Sequence, residues 1–357
     1  MIPVVVGSSP ISHPISQNAH AREGIGRFFR AVVEVGAYTL IVITLNLQNG
    51  CYRMRRLFIS LSLACLPLMV HAERGYVVGF AQDTMANDWR AAQVHEVRQT
   101  LANNPNIRFI QTDAEGNSAR QILDMERLAE QGVDVIITSP RDVQAMTPAV
   151  SAIYRKGIPV VLLTRRILSD DYTAFIGADD REIARLAARE MARRMKGKGR
   201  IVMLRGVATA TTAIQRREGF LEALQAYSGM RVVAEPVANY NRVEAIRAME
   251  KLLADGVAFD AIYAHSDSMA AGARMALKRA GIDPKGLVIV GIDYINEARE
   301  AIRQGEQSAS FTYPTAGRQG AEAVLRILSG EKIEKEQRVS FEMVTSDNVE
   351  QVDTIFQ

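Results

Sequence analysis

Short runs of valine, isoleucine and leucine alternate along most of the chain with longer amphipathic stretches. The first run is YVVGF at residues 76–80, and an amphipathic stretch follows from about Asp88 to Asn103. The alternation continues through NIRFIQTD, VDVIITSP, IPVVLLT and YTAFIG. Because these runs are continuously apolar, rather than alternately apolar and polar, they predict strands of a parallel sheet with helices on both faces.

A second series of strand–helix units follows the first. A helix predicted from about Arg181 to Met195 leads into the strand RIVMLRG, and further units continue to VIVGID, which ends at Asp293. Two series of similar length predict an α/β fold with two doubly wound parallel-sheet lobes. No glycine-, serine- or proline-rich linker separates the two series. We therefore expect several crossing strands to form a hinge between the lobes.

The segment before these units has a different pattern. Residues 54–72 combine an arginine pair, an apolar stretch and a small-residue site, as is typical of a secretory signal peptide, with cleavage predicted after Ala72. A buried core helix is the alternative, but Pro67 and the arginine pair argue against it. We interpret residues 1–53 as an upstream segment that is mis-called or disordered. The alternative is an additional membrane segment, although its apolar stretch is shorter than the roughly 20 residues that span a bilayer.

Composition excludes several functional classes. The 357 residues carry 43 lysines and arginines against 40 aspartates and glutamates, so charge gives no indication of a nucleic-acid partner. Both cysteines, Cys51 and Cys65, precede the predicted lobes, which therefore hold neither a disulfide nor a thiolate metal site. No glycine fingerprint follows the first strand, and no nucleophile elbow or metal-spaced histidine pair occurs. We therefore expect a protein that is not an enzyme and needs no cofactor.

Polar and ionisable residues follow the predicted strands repeatedly. These residues are Gln82, Asp83, Ser139, Thr164, Arg165, Ser266, Asp267 and Asp293. In an open parallel sheet, the carboxyl ends of the strands border the crevice where ligands bind. The pattern therefore predicts a cleft that binds a small molecule.

Several stretches in a fixed order carry a resemblance to a known family. They are VVGFAQDTMANDWRAA, GVDVIITSP, GIPVVLLTRR, TAIQRREGF, AHSDSMAAGARMALKRAG, VGID and FTYP. From about Tyr76 to Val349 the chain resembles the type I periplasmic sugar-binding proteins, the ribose- and galactose-binding group, and within it the galactofuranose-binding proteins. The resemblance implies a lobe 1 of residues 73–177 and 313–335 and a lobe 2 of residues 178–312 and 336–357.

The resemblance also implies a set of ligand-binding residues. Trp89 and Tyr240 match aromatic residues that sandwich a sugar ring, and Arg165 and Asp293 match residues that hydrogen-bond its hydroxyls. Thr164 stands where the family has an aspartate, so an acceptor for the hydroxyls of a neutral aldose is lost. The complete set of candidates is Gln82, Asp83, Trp89, Arg90, Thr164, Arg165, Arg216, Tyr240, Ser266, Asp293 and Thr312.

Structural roles are the alternatives for several of these residues. Trp89 could anchor a helix in the core, and Asp293 could cap one. The local excess of arginines, which comprises Arg90, Arg165, Arg166, Arg216 and Arg217, allows two interpretations. In the first interpretation, the arginines bind an acidic or phosphorylated sugar. In the second, Arg166 and Arg217 point outward to solvent and do not belong to the site.

The family implies a monomeric periplasmic protein that captures a sugar or sugar-like ligand in the interlobe cleft and delivers it to the membrane permease of an ABC importer. The alternative is a periplasmic sensor that presents the bound sugar to a membrane histidine kinase or chemoreceptor. Repressors of the LacI type share the core fold, but they carry an N-terminal helix-turn-helix where we predict a signal peptide.

Overall fold

The computed structural model of the chain describes residues 32–35, 38–41 and 75–355. The chain divides into two compact units, residues 1–69 and residues 70–357. In the first unit, strands β1 (Val32–Val35) and β2 (Tyr38–Ile41) pair antiparallel. The predicted signal peptide lies outside the described residues, as does most of the segment 1–53. Within the described residues, no helix has both the length and the apolar character needed to cross a membrane.

Lobe 1 is built on a sheet of six parallel strands. In chain order the strands are β3 (Tyr76–Gln82), β4 (Ile107–Asp113), β5 (Val135–Thr138), β6 (Val160–Leu163), β7 (Ala174–Gly177) and β13 (Glu336–Arg338). Its helices are α1 (Asp88–Leu101), α2 (Ser118–Glu130), α3 (Val143–Arg155) and α9 (Gly317–Leu328). The spatial order is β13-β7-β6-β5-β3-β4. Every residue of β5, β6 and β7 is buried, because helices cover both faces of the sheet.

Lobe 2 repeats this arrangement on a smaller sheet of four parallel strands. They are β8 (Lys198–Leu204), β9 (Gly229–Ala234), β10 (Ala261–Ala264) and β11 (Val288–Val290), in the spatial order β11-β10-β8-β9. The helices are α4 (Asp180–Arg194), α5 (Thr211–Leu224), α6 (Arg242–Ala254), α7 (Asp267–Arg279) and α8 (Asn296–Arg303), with a 3₁₀ turn at Pro284–Gly286. The predicted fold class is confirmed by these two parallel sheets.

Three crossing segments join the lobes. The chain leaves lobe 1 after β7, returns after β12 (Ser310–Phe311), and crosses again between β13 and β14 (Met343–Val344), which pairs antiparallel with β12. Thr312 and Glu342 connect two of these segments, because the Thr312 N–H donates to the Glu342 carbonyl at 2.9 Å and the Glu342 N–H donates to Thr312 Oγ1 at 2.8 Å. Since β13 pairs with β7, the last crossing begins after Arg338 rather than after residue 335, where the predicted boundary lies.

Polar capping residues place the helix starts at the carboxyl edges of the sheets. Side chains of six residues accept a hydrogen bond from the first turn of the helix that they precede: Asn87, Asn117, Asp142, Asp179, Asn241 and Ser266. Asparagine, aspartate and serine favour this position because their side-chain oxygens satisfy backbone N–H groups that have no partner within the helix. Part of the polar character at the strand ends therefore serves helix capping.

Candidate functional site

A cavity between the lobes spans about 490 Å³ of space that protein atoms do not fill, part of it open to solvent. Eight of the eleven residues predicted from the sequence line it: Asp83, Trp89, Arg90, Thr164, Arg165, Arg216, Tyr240 and Asp293. Its lining is completed by Thr84, Asn87, Arg141, Val207, Thr212, Asn239 and Tyr313.

Asp83 is the centre of the charged groups on the lobe 1 side. It directly follows β3, and its Oδ2 atom accepts a hydrogen bond from Arg165 Nη1 at 2.8 Å. Arg90 Nε lies 3.4 Å from Asp83 Oδ1, and Arg141 Nη1 lies 3.6 Å from Oδ2. Although burial raises the pKa of Asp83, the charges of Arg165 and Arg90 hold it below its usual value. Asp83 is therefore ionised at neutral pH.

Thr164 occupies a strained position at the end of β6. Its φ angle is +61°, a left-handed conformation that β-branched residues rarely adopt. The Thr164 N–H donates to the Ile176 carbonyl at 2.8 Å, and this bond holds the turn against the adjacent strand β7. Strain of this kind clusters at functional sites. With threonine at this position, the carboxylate that pairs with Arg165 comes from Asp83, directly after β3.

Trp89 and Tyr313 connect the cavity to the crossing segments. Trp89 lies in the first turn of α1, and its Nε1 atom donates to the Tyr313 carbonyl at 2.9 Å. The two rings lie 5.6 Å apart, and the Arg90 guanidinium lies 4.9 Å from the centre of the indole ring. Trp89 is 7% exposed, so it both borders the cavity and packs in the core. The core role is therefore shown, and stacking of Trp89 on a sugar ring stays a prediction.

On the lobe 2 side, Arg216 is held by buried partners. Its Nε atom donates to Asp180 Oδ1 at 2.7 Å, and its Nη1 atom donates to the His265 carbonyl. The Tyr313 hydroxyl donates to the other oxygen of Asp180 at 3.0 Å. The Tyr240 ring centre lies 5.9 Å from the same guanidinium. Arg216 is therefore fixed in place, and its charge is balanced within the protein.

Asp293 differs from the other carboxylates at the cavity. It is 6% exposed, and no described residue donates a hydrogen bond or forms an ion pair to its side chain. Burial raises its pKa well above the usual value, and the charge of Arg216 opposes this in part. Its φ angle of +116° is strained for a residue with a side chain. The site therefore holds an acceptor whose hydrogen-bonding capacity the described residues leave open.

Three predicted residues lie outside the cavity lining. Gln82 donates from Nε2 to Gln93 at 3.1 Å and accepts from the Asp83 N–H at 3.0 Å. Ser266 caps α7, and Thr312 connects two crossing segments. Their hydrogen bonds support the elements that carry the site, and direct ligand contact by these three stays a prediction.

Arg166 and Arg217, the two arginines whose orientation was left open, also lie outside the cavity lining. Arg166 donates to both oxygens of Glu336 at 2.6 and 2.9 Å, and Arg217 donates to Glu235. Both pairs are partly exposed to solvent. The arginine excess at the cavity is therefore formed by other residues, and Arg141 is one of them.

Sequence reasoning missed Arg141 and Tyr313 because neither stands at a position that the resemblance assigned. Arg141 follows the TSP sequence after β5, and Tyr313 directly follows Thr312 in FTYP. The strand-end pattern that identified Ser139 extends to Arg141 when two more residues of the loop are included. Tyr313 had no such signal, because its place at the cavity depends on the crossing segment.

Hydrogen bonds also cross the mouth of the cleft. They join Asn87 Nδ2 to the Tyr240 carbonyl (3.2 Å), the Val143 N–H to the Thr209 carbonyl (3.0 Å) and the Arg166 N–H to Thr211 Oγ1 (2.9 Å). Each bond joins a loop of lobe 1 to a loop of lobe 2. In this structure the two lobes are therefore closed over the cleft. Among the described residues, no group of three or more His, Cys, Asp or Glu side chains is placed to hold a metal ion.

A cleft between two parallel-sheet lobes, lined by aromatic and charged side chains from both, defines a two-lobed ligand-binding protein. Residues 78–332 match the periplasmic binding protein domain family, and the chain belongs to this family. Its relatives include the xylitol-binding protein of Mycolicibacterium smegmatis, 30% identical over 71% of this chain and 73% of the relative. The ribose import binding protein of Escherichia coli is 25% identical over 82% of this chain and 98% of that protein.

Solved structures give the same result. The fructose-binding periplasmic domain of a hybrid two-component system has a TM-score of 0.73 at 33% identity, covering 77% of this chain and 92% of that chain. A galactofuranose-binding protein has a TM-score of 0.72 at 25% identity, with 77% and 96% covered. The family predicted from the sequence is confirmed, and the predicted branch is among the similar structures.

Proposed function

We propose that this protein captures a sugar or sugar-like polyol in the interlobe cleft and delivers it to the permease of an ABC importer. The observation that carries the proposal is the Asp293 carboxylate, which is buried at the cavity and has no hydrogen-bond donor among the described residues. An ionised or neutral carboxyl group in this position costs folding free energy unless a ligand supplies donors. Vicinal hydroxyls of a polyol supply two donors in suitable geometry.

The remaining contacts come from both lobes. Trp89 on lobe 1 and Tyr240 on lobe 2 offer aromatic faces to the C–H groups of a sugar ring. Arg165 offers guanidinium donors to ring or hydroxyl oxygens, and Asp83 offers the acceptor that is absent at Thr164. Because contacts to both lobes form only in the closed arrangement, the ligand shifts the equilibrium toward closure by its greater affinity for that state.

The names of the relatives support both parts of the proposal, a polyol as the ligand and import as the role of the protein. Their names specify xylitol, ribose import and galactofuranose. All of these compounds are small polyhydroxylated molecules, and all suit the acceptors and aromatic faces described above. We further propose that the protein acts in the periplasm after removal of residues 54–72, as a monomer without enzymatic activity or cofactor.

A sensor role is the second candidate. It is favoured by the fructose-binding domain of a hybrid two-component system, which is 33% identical to this chain. In that role the closed protein presents its bound sugar to a membrane histidine kinase or chemoreceptor. The two candidates share the ligand site, so they differ in the membrane partner alone. Uptake of radiolabelled ligand by cells with and without the gene separates them, because a sensor does not alter uptake by an importer that uses another binding protein.

A ligand screen tests the proposal directly. Trp89 is the single tryptophan of the sequence and borders the cavity, so its fluorescence reports on occupancy of the site. We expect a saturable fluorescence change and a rise in Tm with at least one aldose, furanose, polyol, sugar acid or sugar phosphate. A full panel without either signal would contradict the proposed function.

A further inference from the structure

The lobe 1 side of the cavity carries more positive than negative charge. Arg90, Arg141 and Arg165 line it, and among the described residues of this lobe that border the cavity, Asp83 supplies the one carboxylate. All three guanidinium groups lie within 3.6 Å of that carboxylate. A single negative charge is therefore shared by three positive charges.

Other contacts do not neutralise these arginines. Arg90 otherwise donates to two uncharged side-chain oxygens, at 2.8 and 3.2 Å. Within the described part of the chain, Arg165 Nε is buried without a hydrogen-bond partner, and the Arg141 guanidinium makes a charged contact only with Asp83. Burial, with the repulsion from Arg165, lowers the pKa of Arg90 to about 10, as expected where positive charges are crowded.

The lobe 2 side has the opposite character. Its one lining arginine, Arg216, is paired with buried Asp180 at 2.7 Å. Asp293 borders the cavity, and its side chain has no hydrogen-bond or ion-pair partner among the described residues. The cavity therefore has an electropositive wall on lobe 1 and an open carboxylate acceptor on lobe 2.

We propose that the ligand is a polyol with one anionic group, a carboxylate or a phosphate, which binds to Arg90, Arg141 and Arg165 while its hydroxyls face Asp293. This inference rests on the proposed function and narrows its ligand class. Guanidinium groups bind either anion in bidentate geometry. An anionic group supplies a second negative charge to these three arginines, whereas a neutral sugar leaves Asp83 as the one carboxylate among the described residues within 3.6 Å of them. Buried charge with too few counter-charges is costly.

Matched titrations test this ligand class. Isothermal titration calorimetry on the purified protein compares ribose, arabinose, galactose and glucose with the aldonic acid, uronic acid and terminal phosphate of each sugar. We expect at least one acid or phosphate to bind at least about tenfold more tightly than its neutral parent. Its affinity falls as salt increases, because salt screens the interaction. The separate acids and phosphates distinguish the two anions.

Two outcomes would overturn the inference, and they differ in what they say of the proposed function. If a neutral sugar binds as tightly as its acids and phosphate, or more tightly, the inference fails and the proposed function stands. If none of these compounds binds, the inference fails, and the proposed function fails as well only when the furanoses and polyols of the wider screen also give no signal.

Arg141→Gln tests the placement of the anion. We expect it to reduce the preference for the anionic ligand over its neutral parent at least about tenfold, because it removes one of the three positive charges. Arg127→Gln on α2 is the matched control, since its side chain is 67% exposed and lies in the same lobe outside the cavity lining; it should leave the preference unchanged. Melting curves verify that both variants fold. An unchanged preference in a folded Arg141→Gln variant would overturn the placement.

Discussion

Replacement of Asp293 by asparagine should separate ligand binding from folding stability. The carboxylate is 6% exposed and has no hydrogen-bond donor among the described residues. Asparagine has almost the same shape, but it carries no charge and it replaces one acceptor oxygen with a donor. We therefore expect Asp293→Asn to weaken ligand binding and, at the same time, to stabilise the ligand-free protein.

The magnitudes follow from the two environments of this side chain. A hydrogen bond to a charged group contributes about 1.5–3 kcal/mol, so its loss lowers affinity about 10- to 150-fold. An unsatisfied buried polar group destabilises a fold by about 1–3 kcal/mol. Asparagine keeps a polar group at this position but removes the charge, which is the more costly part to bury. Relief of about 1–3 kcal/mol raises Tm by about 2–5 °C in a folded region of this size.

The pH dependence gives a second readout for the same variant. Because burial raises the pKa of Asp293, the native protein binds this proton more tightly than the unfolded chain does. The free energy of unfolding therefore decreases as pH rises from the unfolded pKa of about 3.9 toward the folded pKa. Asp293→Asn lacks this titration, so its Tm should fall less than that of the wild type between about pH 4 and pH 7.

Asp267 provides a matched control. It is also buried in lobe 2, but its carboxylate accepts hydrogen bonds from Gln307 Nε2 at 2.6 Å and from the Tyr294 N–H at 2.7 Å. Asp267→Asn should therefore lower Tm, the opposite sign, because an amide group replaces a satisfied acceptor. Scanning calorimetry and ligand titration measure both effects. A lower Tm for Asp293→Asn, together with unchanged affinity, would refute the reasoning.

Three further variants test other parts of the site. In Gly206→Ala the new Cβ would lie 2.0 Å from the Tyr240 ring, so the ring must move, and we expect at least about a tenfold loss of affinity by titration; unchanged affinity would remove Tyr240 from the contacts. Thr211→Val removes the acceptor of the Arg166 N–H across the cleft, and small-angle scattering should show a larger open fraction. An unchanged scattering curve would mean that this bond does not favour closure. Trp89→Ala should lower stability by about 3–5 kcal/mol as well as affinity, and a normal denaturation midpoint would contradict its core role.

The sequence predicts the strands and their carboxyl ends well, because long apolar runs followed by polar loops permit few alternatives. Asp83, Arg165 and Asp293 each end such a run, and each lines the cavity. The resemblance adds Trp89 and Tyr240, which strand periodicity alone does not single out.

Other features depend on packing that no local pattern encodes. The pairing of Arg165 with Asp83 joins residues 82 positions apart, and it compensates for threonine at position 164. Tyr313 reaches the site from a crossing segment, and its hydroxyl binds Asp180 in lobe 2. The Gln82 side chain bonds Gln93 and the Ser266 side chain caps α7, which the sequence did not show, and ligand contact by either residue stays a prediction.

A crystal structure of the protein with the tightest ligand from the screen tests the central claim most directly. The account predicts that the ligand lies in the interlobe cavity, with a hydroxyl within hydrogen-bond distance of the Asp293 carboxylate and another polar group on Arg165. Both lobes then contact one ligand molecule. A ligand bound elsewhere, or bound to one lobe with Asp293 still unpartnered, would contradict the account.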